Sequence, residues 1–159
     1  MDYNENPESC ITTVNSEGVP YNERLKRIRE SKRKSVEELA ELLLMTPSEY
    51  EEWESHPGEL TSAISLGELV ELASVLDVST AFIFEGKKPT GKEISLDELC
   101  AKMNAHLSST GKTIEEFEDE VGFEMEPSLN ESSEIINWNV DCLRFVCEEI
   151  GVDWLLALP

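Results

Sequence analysis

One glycine-flanked lysine cluster, four cysteines and two histidines are the residues of this chain whose types could support chemistry. Gly86-Lys87-Lys88-Pro89-Thr90-Gly91-Lys92-Glu93 has the G-x-x-x-x-G-K spacing of a phosphate-binding loop and follows an apolar Phe82-Ile83-Phe84. Such a loop needs Ser or Thr after the lysine to ligate magnesium, and a strand and a helix on either side. Glu93 stands there instead and would repel phosphate, in surroundings patterned as helix throughout. Cys10, Cys100, Cys142 and Cys147 form no C-x-x-C pair, and His56 and His106 complete no four-ligand zinc set at workable spacing. Cys142 and Cys147, five apart, suit packing on one helix better than bridging. No nucleophile–base or carboxylate pair emerges, so neither catalysis nor a cofactor is expected.

The remaining chemistry is charge. The 159 residues carry 34 acids against 13 lysines and arginines, a formal net charge of −21. That balance repels nucleic acid and anionic membrane and speeds encounter with basic partners. From Ser35 to Gly86 there is no lysine or arginine, but there are twelve acids, among them Glu49, Glu51, Glu52 and Glu54. Between Thr113 and Pro159 one base, Arg144, faces thirteen acids, including Glu115, Glu116, Glu118, Asp119 and Glu120. The exception is a cluster of seven bases in eleven positions: Arg24, Lys26, Arg27, Arg29, Lys32, Arg33 and Lys34. It could clamp a phosphate backbone without reading sequence, dock an acidic surface (another copy of this chain included), or be a solvated helix with local pairs such as Glu23–Arg27.

These charges ride on short helices. Five S/T-x-x-E patterns mark helix starts: Ser35–Glu38, Thr46–Glu49, Ser65–Glu68, Ser95–Glu98 and Thr113–Glu116. Pro47 suits a first helical position, and Pro57-Gly58 is expected to stop the helix it begins. Apolar spacing puts Val36, Leu39 and Leu43 on one helix, Tyr50 and Trp53 on the next, and Leu69, Leu72, Ala73 and Leu76 on a third. Residues 1–20 are expected to be a flexible tail, 21–86 and 96–159 two helical domains, and 87–95 a linker. The fold class is therefore all-α, two tandem small helical domains.

The second domain echoes the first. Leu76-Asp77-Val78-Ser79 and Ile150-Gly151-Val152-Asp153 are 74 apart, whereas Ser35-Val36-Glu37-Glu38-Leu39 and Thr113-Ile114-Glu115-Glu116-Phe117 are 78 apart. A degenerate duplication that lost four residues explains both offsets; two unrelated helical domains are the alternative. No run of about 18 apolar residues predicts a membrane span. The polar N-terminus does not read as a secretory signal, and reduced thiols in a cytoplasm are expected.

Residues 22–86 resemble the Xre family, the lambda repressor-like or Cro-type helix-turn-helix domains. The resemblance rests on Arg24-Leu25-Lys26-Arg27-Ile28-Arg29, Ser35-Val36-Glu37-Glu38-Leu39-Ala40, the Leu43-Leu44-Met45-Thr46 turn, Tyr50-x-x-Trp53-Glu54, and Leu72-Ala73-x-x-Leu76-Asp77-Val78. It implies a DNA-binding transcriptional regulator whose third helix reads the major groove. This chain departs from the pattern where DNA would be touched. Val36 replaces a DNA-contacting glutamine, Leu44 replaces the turn glycine, and the outward positions of the reading helix hold Pro47, Ser48, Glu49, Glu51 and Glu52. A carboxylate ~4 Å from a phosphate costs on the order of 1 kcal/mol in water. Four of them offset most of the ~5–8 kcal/mol that corresponds to weak non-specific binding. In the second copy, the expected third helix around Phe123-Glu124-Met125-Glu126-Pro127 is interrupted by proline.

Two readings follow. In the first, a basic protein (a toxin, a nuclease or another nucleic-acid-binding factor) is captured in the manner of an antitoxin or immunity protein. The contacts are Glu49, Glu51, Glu52, Glu54, Glu115, Glu116, Glu118 and Asp119, with Tyr50, Trp53 or Trp138 as apolar anchors, although Trp53 suits the core better. In the alternative, a regulator binds DNA through Arg27, Arg29, Arg33 and Lys34 on the first helix. A homodimer is compatible with either, and no membrane partner is expected.

Overall fold

Local capping chemistry divides this chain into short helices before any packing is considered. The computed structural model describes residues 19–87 and 89–159. The helices fall in two units, one holding the described residues up to Ile64 with Glu68–Thr90, the other Ser65–Gly67 with Gly91–Pro159. The expected flexible tail lies outside the described residues except for Val19 and Pro20, whose carbonyls accept from the Arg24 guanidinium and the Arg24 backbone N–H.

In the first unit, α1 spans Tyr21–Ser31, α2 Val36–Leu42, α3 Pro47–Ser55, α4 Pro57–Ala63 and α6 Thr80–Glu85, and α5, Leu66–Leu76, belongs to it from Glu68 onward. Ser35 and Thr46 close full capping boxes with Glu38 and Glu49, each satisfying two of the backbone donors at its helix start. Ser65 immediately precedes α5. Pro57 was expected only to end α3; it also opens α4, because a first helical residue needs no N–H. The apolar stripes meet as expected: Leu25, Ile28, Leu39, Tyr50, Leu60, Leu69, Leu72, Leu76 and Phe82 are fully buried. Each such side chain contributes roughly 1.5–3 kcal/mol of transfer free energy.

Three helices here end in the same way on residues other than glycine. After α2, Leu44 (φ 56°) donates to the Glu41 carbonyl and Met45 to that of Ala40. Arg33 and Lys34 repeat this pair of bonds after α1, and Asp77 and Val78 repeat it after α5. This is the Schellman motif, whose left-handed residue is usually glycine. The departure at Leu44 therefore leaves the turn geometry intact.

In the second unit, α7 spans Leu96–Thr110, α8 Ile114–Val121, α9 Glu126–Asn130, a 3-10 helix Ser132–Asn137, α10 Val140–Ile150 and α11 Trp154–Ala157. Ser95 and Thr113 cap α7 and α8. The expected interruption by Pro127 is instead a beginning: it lies in the first turn of α9, so Phe123–Met125 precede the helix. Gly111, Gly122 and Gly151 take the left-handed positions that close α7, α8 and α10. The later part of the expected linker is tied down, with the Ile94 N–H donating to the Leu156 carbonyl at 2.8 Å. Apart from one isolated antiparallel bridge, Ser65 with Asn139, the described residues contain no strand. No helix among them is long and apolar enough to cross a membrane.

Cys147 is fully buried on α10, and burial pushes its thiol up to about 12. Only the thiolate is nucleophilic, and that value leaves about one in ten thousand at pH 8. Native protein treated with iodoacetamide at pH 8 is expected to stay unmodified at Cys147 until denaturant is added, as read by peptide mass spectrometry. Labelling at the same rate in native and unfolded protein would contradict this burial.

Candidate functional site: the acidic face of α3

Thr46 and Pro47 start α3, Tyr50 and Trp53 fix its inward face, and its outward positions are thereby assigned to acids. Tyr50 and Trp53 are buried, with ring centroids 6.0 Å apart. Burial, and secondarily the Glu54 carboxylate, push the Tyr50 phenol far above its usual range, so it stays neutral. Neither aromatic ring is available as an apolar anchor. Trp138 is buried as well, its Nε1–H donating to Ser128 Oγ at 3.0 Å, which corrects the expectation of Tyr50 and Trp138 as anchors, whereas Trp53 lies in the core that suited it better.

Glu49, Glu51 and Glu52 all face solvent. The Glu49 carboxylate accepts from the Thr46 N–H at 2.8 Å, so it also caps the helix. A Glu52 oxygen lies 3.0 Å from His56 Nδ1, one turn further along. Glu54 behaves differently. Its two oxygens accept from Arg29 Nε at 2.7 Å and Arg29 NH2 at 3.0 Å, and the side chains of Glu54 and Arg29 are 6% and 11% exposed. Arg29 also donates to the Lys34 carbonyl at 3.0 Å. The hydrogen bond to Glu54 raises its pKa, outweighing desolvation. Glu54 and Arg29, expected on opposing contact surfaces, thus bind one another inside the first unit and are withdrawn from both.

The basic cluster shrinks further. Arg24 is 3% exposed and donates to the Ile83 and Phe84 carbonyls at 3.1 and 2.7 Å. Arg27 meets Glu23 at 2.8 Å, Lys32 lies 3.7 Å from Asp77, and Lys34 lies 3.9 Å from Glu38. Of the four cations expected to meet phosphate, Arg33 alone is exposed without an acidic partner among the described residues.

In the second unit, Glu115, Glu118 and Asp119 line one surface groove of about 790 Å³ with Phe123, Glu124 and Glu126. Glu118 is partly committed, accepting from the Met125 N–H at 3.1 Å. Glu116 is not in that lining; it sits at the N-terminal cap of α8, where its N–H donates to Thr113 Oγ1. Among the described residues no group of His, Cys, Asp and Glu is placed to hold a metal ion.

Leu44 escaped the reading of the sequence as a contact residue. Its side chain is 94% exposed in the turn between α2 and α3. The signal was present, since a leucine stood where the resemblance places glycine.

A family model described as Helix-turn-helix matches residues 25–83. No curated protein and no solved structure matches the chain.

Proposed function

Residues 25–83 are an Xre-type, lambda repressor-like helix-turn-helix domain, and from that premise we propose that this domain holds a basic protein where its relatives hold DNA. Domains of this kind are commonly those of DNA-binding regulators, but fold alone is a weak warrant for function. The observation that carries the proposal is the outward face of α3. Glu49, Glu51 and Glu52 stand there in solvent, and the arginine that does reach this helix, Arg29, is neutralised by Glu54. Carboxylates so placed steer and pair with lysine and arginine side chains, raising encounter rates and rejecting polyanions. The partner class is a toxin, nuclease or other nucleic-acid-binding protein, neutralised in the manner of an antitoxin or immunity protein. The groove around Glu115, Glu118 and Asp119 offers a second acidic surface of the same chemistry. The second unit is read as a degenerate copy of the first, which its helix starts support: Val36 and Ile114 are 78 apart, and Leu66 and Val140, like Thr80 and Trp154, are 74 apart.

Because Glu49 completes a capping box, glutamine is a better probe than alanine; it keeps the cap and removes the charge. The full chain with Glu49→Gln, Glu51→Gln and Glu52→Gln is expected to bind a labelled lysine–serine dodecapeptide at least tenfold more weakly than wild type at 50 mM salt, since each contact charge is worth about 1 kcal/mol. A control with Glu93→Gln, Glu131→Gln and Glu148→Gln, exposed acids elsewhere, loses the same total charge and is expected to change binding by less than about threefold. Equal losses in the two variants would leave only bulk charge and reject the α3 face. The alternative, DNA binding through the first helix, predicts that wild type shifts a 20-base-pair duplex at low salt and that Arg33→Ala abolishes the shift.

A further inference from the structure

We propose that Leu44 is an apolar anchor, projecting from the turn between α2 and α3 into an apolar patch ringed by lysines or arginines on a partner protein. This inference rests on the basic-partner reading above and names the contact that gives it selectivity. Two unfavourable features coincide at this residue. Its backbone is left-handed, with φ at 56°, a conformation that crowds any side chain with a Cβ and that glycine adopts without strain. Its side chain is 94% exposed, so it buries almost nothing in return.

The comparison within this chain isolates the anomaly. Seven helix ends among the described residues take the left-handed conformation, at Arg33, Leu44, Asp77, Gly86, Gly111, Gly122 and Gly151. Four of these are glycine, which adopts the conformation without strain, and two are charged and exposed. Leu44 alone among them is large and apolar. The hydrogen bonds of the turn run from the Leu44 and Met45 backbone N–H groups to the Glu41 and Ala40 carbonyls, and any residue except proline would supply them. Nothing in the folding of the turn calls for leucine. Strain retained where it earns no packing points to function.

The setting selects the partner. The Glu49 carboxylate is held at the turn by the Thr46 N–H, Glu41 lies one helical turn before Leu44, and no lysine or arginine occurs from Ser35 to Gly86. A second copy meeting this surface about a two-fold axis would set Glu41 and Glu49 against acids of the same kind. A cationic rim around an apolar centre satisfies both components, leaving the desolvated centre to carry the affinity.

The test uses the full chain and two synthetic dodecapeptides of equal charge, one alternating lysine and serine, the other lysine and leucine. Wild type is expected to bind the leucine peptide at least tenfold more tightly. Leu44→Gly and Leu44→Ser are expected to reduce that preference to within twofold and to leave lysine–serine binding unchanged. The melting temperature of Leu44→Gly should equal or exceed that of wild type, which separates lost contact from lost fold. Phe145→Ser, which removes another exposed apolar side chain, should keep the preference. A preference that survives in both Leu44 variants overturns the anchor while the acidic-face reading stands. Failure of wild type to bind either peptide removes the acidic-face reading and the anchor with it. A concentration-dependent dimer in sedimentation that Leu44→Ser abolishes would overturn the basic partner in favour of a second copy.

Discussion

Replacing Glu54 by alanine is expected to destabilise the first unit by about 3 kcal/mol, near the lower end of what breaking a buried ion pair costs. The Arg29 guanidinium has its Nε and NH2 on the two Glu54 oxygens at 2.7 and 3.0 Å, a fork-to-carboxylate geometry that adds direction to charge. With both side chains largely out of water, alanine at position 54 strands Arg29 against the apolar face of α3. The same carboxylate lies beside the buried Tyr50 phenol, so its loss disturbs a third group. The double replacement Arg29→Met with Glu54→Leu is expected to recover most of the loss, because a packed apolar pair of similar volume avoids desolvating two charges. Urea unfolding of the three variants measures both effects. A loss below about 1 kcal/mol for Glu54→Ala would be the value of a surface pair and would return Arg29 to the set of cations available to a phosphate.

The second large effect is expected at Arg24, where even lysine is a poor substitute. One guanidinium reaches the carbonyls of Ile83 and Phe84 at the end of α6 and that of Val19 before α1. A cation there also complements the negative end of the helix. Burial lowers the Arg24 pKa, and Glu85 acts in the opposite direction; an arginine keeps its charge in both circumstances. Lysine offers a single ammonium in place of the two guanidinium nitrogens that reach these carbonyls. Arg24→Lys is therefore expected to cost about 2 kcal/mol, and Arg24→Met about 3 kcal/mol, as carbonyls buried without a donor each cost roughly 1–3 kcal/mol. Denaturant midpoints check the magnitudes, and hydrogen exchange at Gly86, whose N–H donates to the Phe82 carbonyl at 2.8 Å, checks the location. Equal stability of Arg24→Lys and wild type would mean that the fork geometry is not needed.

These two arginines show what kind of information the sequence holds about a surface. Arg24, Arg29 and Arg33 occupy one short basic run and look equivalent along the chain. In the folded unit Arg24 anchors the end of α6, Arg29 is locked to Glu54, and Arg33 stands in water. Which role each takes depends on groups 25 to 60 residues away, and no periodicity in the run encodes that distance. The aromatic anchors failed for a related reason. Tyr50, Trp53 and Trp138 have the residue types favoured at interfaces, but large rings also bury the most area, and here the core takes all three.

The helix starts capped by Ser35, Thr46, Ser95 and Thr113, the all-helical class, the helix-turn-helix of residues 25–83 and the acid-rich character of α3 are determined by the sequence alone. Capping acts across three residues, apolar stripes repeat over one or two turns, and a run without lysine or arginine is acidic however it folds. Only the tertiary structure decides that Pro57 and Pro127 begin helices, that Glu54 and Arg29 neutralise one another, and that Leu44 projects while Trp138 is enclosed. Exposure and pairing are properties of where distant segments come to rest, and the burial of one residue is settled by whichever others reach it first.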